Sequence, residues 1–72
     1  MSEYHINLFW SPEDDAWIAD VPDLTYCSAH GPTPEEALRE VLAAQEAWLE
    51  SARAHGDPIP PRRYRPAIYS AG

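Results

Sequence analysis

An α+β domain is what the sequence predicts: a three- or four-stranded antiparallel sheet carrying one long helix on one face, in the order βββα, with a possible C-terminal edge strand. Three observations lead to it. An apolar run of period two opens the chain, turn formers punctuate the first thirty residues, and a single helix has both of its ends written in the sequence.

From Glu3 to Trp10, the residues Tyr4, Ile6, Leu8 and Trp10 fall on one side of an extended chain, with His5 and Asn7 on the other. That alternation is the signature of a half-buried strand. Ser11-Pro12-Glu13-Asp14-Asp15 supplies turn formers, because proline fixes one backbone angle and Asp hydrogen-bonds its own backbone. A hairpin to Ala16–Val21 follows. Pro22-Asp23-Leu24 breaks that strand, since proline cannot donate to a ladder, and a short third strand is expected at about Tyr26 to Ala29.

The helix start is the strongest local signal. Thr33 serves as N-cap, Pro34 takes the first helical position, and Glu36 completes a T-x-x-E capping box. Gly56 suits the left-handed position past a helix end and Pro58 cannot continue it, so the helix should run to about His55, roughly 33 Å. At 100° per residue, Leu38, Val41, Leu42, Leu49 and Ala52 form one stripe, with Gln45 in its middle, and Glu35, Arg39, Glu46, Glu50 and Arg53 lie opposite. Beside the stripe, Ala37, Ala44, Ala47, Trp48 and Ser51 make a flank on which a second helix would approach closely. Ala44, Ala47 and Trp48 are therefore candidate oligomer contacts, although alanine is also simply the best helix former. Residues 1–61 form the domain. Residues 62–72 form a basic tail or an edge strand through Tyr64 and Ala67-Ile68-Tyr69, with Pro66 confining it to an edge.

Seventy-two residues make one small domain with a marginal core. Cys27, the one cysteine, closes no internal disulfide, which leaves oligomerisation, as a dimer or tetramer, as the expected support. The net charge is −7: residues 1–61 hold all 12 carboxylates against Arg39 and Arg53, and Arg62, Arg63 and Arg65 follow. Direct nucleic-acid binding is disfavoured, because phosphate contacts need Lys and Arg, whereas a basic protein partner suits such a surface. No run has the length of a membrane span and no leader-like start is present, so a cytoplasmic protein is expected.

The order strand, turn, strand, Pro-Asp-Leu, short Cys-containing strand, Gly-x-Thr-x-Glu-Glu-Ala, long helix, Gly-x-x-Ile-Pro resembles the HicB family of antitoxins. The matching pieces are Phe9-Trp10-Ser11 with Glu13-Asp14, Trp17 to Asp20 with Val21-Pro22-Asp23-Leu24, Cys27 to Gly31, Thr33 to Leu38, and Gly56 to Pro60. The resemblance implies a partial ribonuclease-H-like fold and a role as antitoxin to HicA, a small basic mRNA-degrading toxin. The C-terminal DNA-binding domain usual in that family has no counterpart by Gly72. The alternative is an oligomeric binding or scaffold domain of the same fold with no toxin partner.

Enzyme chemistry finds little purchase. Asp14, Asp15, Asp20 and Asp23 are the carboxylates that two-metal chemistry would draw on, but they sit where Asp is favoured for turn formation. Cys27 and His30 have C-x-x-H spacing without the second pair a zinc site needs. No catalytic residue, metal or cofactor is assigned. The candidate partner-binding residues are Trp10, Glu13, Asp14, Asp15, Trp17, Asp20 and Asp23, the acidic ones as steering charges. The two tryptophans are either core or an exposed patch on the sheet face opposite the helix.

Overall fold

The computed structural model describes residues 4–63 and bears out the α+β expectation: a three-stranded antiparallel sheet and one long helix. Strand β1 (Asn7–Ser11) turns through residues 12–15 into β2 (Ala16–Asp20), and β3 (Ser28–Gly31) pairs with the far side of β2. The strands start or stop within a few residues of expectation. β2 ends at Asp20, where the Pro22 turn begins, and β3 starts at Ser28 because Tyr26 belongs to that turn. The expected C-terminal strand, through Tyr64 and 67–69, lies outside the described residues.

Helix α1 (Pro34–His55) has the predicted ends. Thr33 Oγ accepts the Glu36 amide at 3.2 Å, and Gly56 ends the helix at φ 73°, its N–H turned back to the Ala52 and Arg53 carbonyls. These contacts occupy groups that every helix terminus leaves unpaired.

The core joins Ala19, Val21, Leu24 and Cys27 to Ala37, Val41 and Leu49, with Tyr4, Ile6, Trp17, Ala29, Ala44 and Trp48 packed around them. The buried face of α1 is Ala37, Val41, Gln45, Leu49 and Ala52. This corrects the predicted stripe: Leu38 and Leu42 stay 38% and 44% exposed. The cause is the seat of the helix at Gly31. A Cβ built there would stand 2.8 Å from the Ala37 amide nitrogen and 3.1 Å from the Glu36 carbonyl carbon. The first turn thus lies directly on β3, with Ala37 at the contact.

Gln45 is 3% exposed, and its Oε1 finds no hydrogen-bond partner among the described residues. An unpaired buried polar group costs about 1–3 kcal/mol. Beyond the helix the chain returns to the sheet end. Tyr4 Oη donates to the Pro60 carbonyl, and the Arg63 amide donates to Asp23 Oδ2 at 3.0 Å.

Candidate functional site

Register decides which side chains share a face, since directly paired residues point the same way. On the side away from the helix, Phe9, Ile18 and His30 form one row across all three strands, and Asn7, Asp20 and Ser28 form the next. No element of the described chain covers this face: Phe9 is 48% exposed and His30 is exposed. The acidic hairpin turn closes one end of the face, and Asp20 lies toward the other.

The turn is built by its own side chains. Ser11 Oγ donates to Asp14 Oδ2 at 2.9 Å, and the Asp15 amide donates to the Pro12 carbonyl at 3.3 Å. Asp15 takes a positive φ of 52°, which Asp tolerates better than most residues. Asp14 is therefore committed to shaping the turn, leaving Glu13 and Asp15 outward. Asp20 ends β2, roughly 17 Å from Asp15 at about 3.3 Å per residue, and Asp23 follows in the next turn. The expected acidic candidates thus form two groups, one at each end of the sheet.

At the second end, the Val21–Cys27 turn is closed by three backbone bonds: Val21 N–H to Cys27 O at 2.9 Å, Leu24 N–H to Val21 O at 3.0 Å and Cys27 N–H to Leu24 O at 3.1 Å. Leu24, 1% exposed, anchors it in the core. Trp48 Nε1 donates to the Thr25 carbonyl at 3.0 Å. Held between these ties, Tyr26 adopts φ 63° with 98% of its surface exposed. A bulky residue with positive φ is a genuine conformational outlier, and such outliers concentrate at functional sites. An open depression bounded by Asp20, Pro22, Thr25, Tyr26 and Ser28 adjoins it. Sequence reasoning missed Tyr26, and no sequence signal marks a tyrosine in the left-handed region.

Of the two readings of the tryptophans, core or a patch opposite the helix, core holds for Trp17 and the patch for neither, since both lie off the open face. Trp10 and Trp17 are direct cross-strand partners on the helix-facing side, edge to face with centroids 5.9 Å apart. Trp17 packs on the core, and Trp10, out at β1, stays 44% exposed. Of the three expected oligomer contacts, Ala44 and Trp48 pack against the core and Ala47 is exposed.

Cys27 and His30 are not brought together: Cys27 is buried on the core side, whereas His30 is exposed on the open face. Burial, and after it the Asp20 carboxylate, pushes the Cys27 thiol above its ordinary value, which suppresses the thiolate a nucleophile needs. Among the described residues no three His, Cys, Asp or Glu side chains gather as metal ligands would. No helix of the described residues is long and apolar enough to cross a membrane.

The chain is similar to a UPF0150 protein of the cyanobacterium Synechocystis, 36% identical over 47 residues. It is also similar to a UPF0150 protein of Thermoplasma acidophilum, 38% identical over 48 residues. The matches cover 65% and 67% of this chain and 64% and 70% of the relatives, so the chain spans about two thirds of their length. No family model and no solved structure matches the chain.

Proposed function

The chain belongs to the UPF0150 family, and from that premise we propose that it is a HicB-like antitoxin domain, which neutralises a small basic mRNA-degrading toxin of the HicA type by covering its RNA-binding face. The observation that carries this reading is the open sheet face, with an apolar centre of Phe9 and Ile18 flanked by acidic groups at both ends. An apolar centre with a charged rim is the anatomy of a protein-binding surface. The charge balance of residues 1–61, 12 carboxylates against two arginines, selects a basic partner.

The parts have distinct roles. Glu13, Asp15 and Asp20 draw in the basic partner and set the salt dependence of encounter. Phe9 and Ile18 provide desolvated contact. Tyr26 stands ready as an aromatic anchor on a pre-formed turn, so little ordering is needed on binding. Phe9, Glu13, Ile18 and Asp20 fall within the pieces of sequence that resemble the HicB family, whereas Asp15 and Tyr26 lie between them.

The test is inhibition of RNA cleavage. A HicA-type toxin encoded beside this chain should lose activity on addition of one equivalent, and Phe9→Asp should weaken the inhibition at least about tenfold, the loss of one central contact. Full cleavage in the presence of excess folded chain would overturn the reading.

A further inference from the structure

We propose that the depression beside Tyr26 receives one arginine side chain of the basic partner, its guanidinium on the Asp20 carboxylate and flat against the Tyr26 ring. The inference rests on the antitoxin reading and adds to it the residue type that the partner presents.

The site follows from the ladder. The bond from the Val21 N–H to the Cys27 carbonyl makes residues 21 and 27 a hydrogen-bonded pair. Bonded and unbonded pairs alternate along an antiparallel ladder, so Asp20 and Ser28 form the adjoining unbonded pair. Their Cβ atoms therefore stand about 4.5–5.5 Å apart, at the close end of that range. A carboxylate and a hydroxyl thus lie side by side on the last rung of the open face. Pro22, Thr25 and Tyr26 of the closed turn wall the depression beyond them. Asp20 is half-buried, and among the described residues no hydrogen bond or ion pair occupies its carboxylate. Asp23 is already taken, since its Oδ2 accepts the Arg63 amide. The Asp20 charge is felt at the depression wall, where it adds to burial in raising the Cys27 thiol.

The ring selects arginine. Tyr26 is 98% exposed, so no packing within the described chain accounts for where its side chain stands. The backbone bonds of the turn fix its Cα, and the aromatic face is presented in advance. A planar guanidinium stacks on such a face while its N–H groups reach acceptors in its own plane, whereas a compact, strongly hydrated ammonium gains less from the ring. A carboxylate takes two of those N–H groups in parallel, and a third reaches Ser28 Oγ. An apolar side chain seated here would bury the Asp20 charge without a partner, and an acidic one would be repelled.

N-acetyl-arginine amide and N-acetyl-lysine amide, titrated separately into the full chain and followed by amide chemical shifts, test this. The arginine probe should shift Asp20, Tyr26 and Ser28 and bind at least about threefold tighter than the lysine probe. Tyr26→Gly suits the φ of 63° without strain and should remove that preference. Asp20→Asn should weaken arginine binding about tenfold with an unchanged circular-dichroism spectrum. Equal affinity for the two probes, a preference that survives Tyr26→Gly, or shifts centred on the Glu13–Asp15 turn would overturn the proposal. The probes contain no toxin, so the two readings fail separately. An arginine preference in a chain that leaves RNA cleavage intact supports the receptor and refutes the antitoxin reading alone, the arginine then belonging to another basic protein. Inhibition of cleavage by a chain with no arginine preference refutes the receptor alone.

Discussion

Replacing Tyr26 by Asn separates strain kept for binding from strain tolerated for packing. Tyr26 sits at φ 63° with 98% of its surface in solvent. A left-handed conformation costs an ordinary L-residue roughly 1–2 kcal/mol, and Asn is among the residues that visit it most readily. The exposed ring contributes almost no burial, so its removal sacrifices little. If about half of the strain is relieved, the fold gains about 0.5–1 kcal/mol, which raises the thermal midpoint of a domain this small by roughly 2–8 °C. Binding should move the other way. Loss of an aromatic anchor costs at least about 1 kcal/mol, or some fivefold in Kd. Scanning calorimetry at matched chain concentration measures the first quantity and titration calorimetry against a HicA-type toxin, the proposed partner, the second. A lowered midpoint would show that the ring supports the fold, and an unchanged Kd would show that the turn is not part of the binding surface.

Other substitutions test the framework around that turn. Gly31→Ala should destabilise by about 1–3 kcal/mol in urea unfolding, the range for overpacking, because the new Cβ meets helix backbone at 2.8 Å rather than a flexible side chain. Thr33→Ala should cost about 0.5–2 kcal/mol through the lost cap, and an unchanged midpoint would mean that the helix start does not depend on it. Gln45→Met should stabilise by about 1 kcal/mol by replacing a buried side chain whose Oε1 has no partner among the described residues with an apolar group of similar size, with a fall in the urea midpoint as the contrary result. Cys27 titrates above a free thiol, so the fold favours its neutral form. That contribution is intact below the free-thiol range and is lost as pH rises through the folded value. Iodoacetamide at pH 8 should therefore label Cys27 slowly in the folded chain and rapidly in denaturant, and equal rates would contradict the burial.

Local chemistry was legible in the sequence and orientation was not. Thr33, Pro34 and Glu36 mark the helix start, and Gly56 marks its end, because capping needs particular residue types at fixed offsets. The Ser11–Asp15 turn was legible for the same reason. The rotation of α1 was not, because apolar residues occupy so much of the helix surface that periodicity fits more than one face. The contact of Gly31 with the first turn, a long-range feature, selects Ala37 over Leu38. Strand period grouped Leu8 with Trp10 correctly, but it could not reveal that the helix lies toward β3 and leaves β1 uncovered. The acidic candidates looked like one cluster because they are close in sequence, yet an extended strand separates residues 15 and 20 by its whole length. The third strand starts at Ser28 rather than at about Tyr26, because the closed turn holds Tyr26 in the left-handed region, out of the ladder.

Amide chemical-shift mapping of the full chain titrated with a purified HicA-type toxin tests the proposed function most directly. The account predicts saturable shifts at Phe9, Ile18, His30 and Tyr26, weakened by added salt, with Leu38 and Leu42 unmoved on the opposite side. No shifts at equimolar toxin, or shifts centred on Leu38 and Leu42, would contradict it.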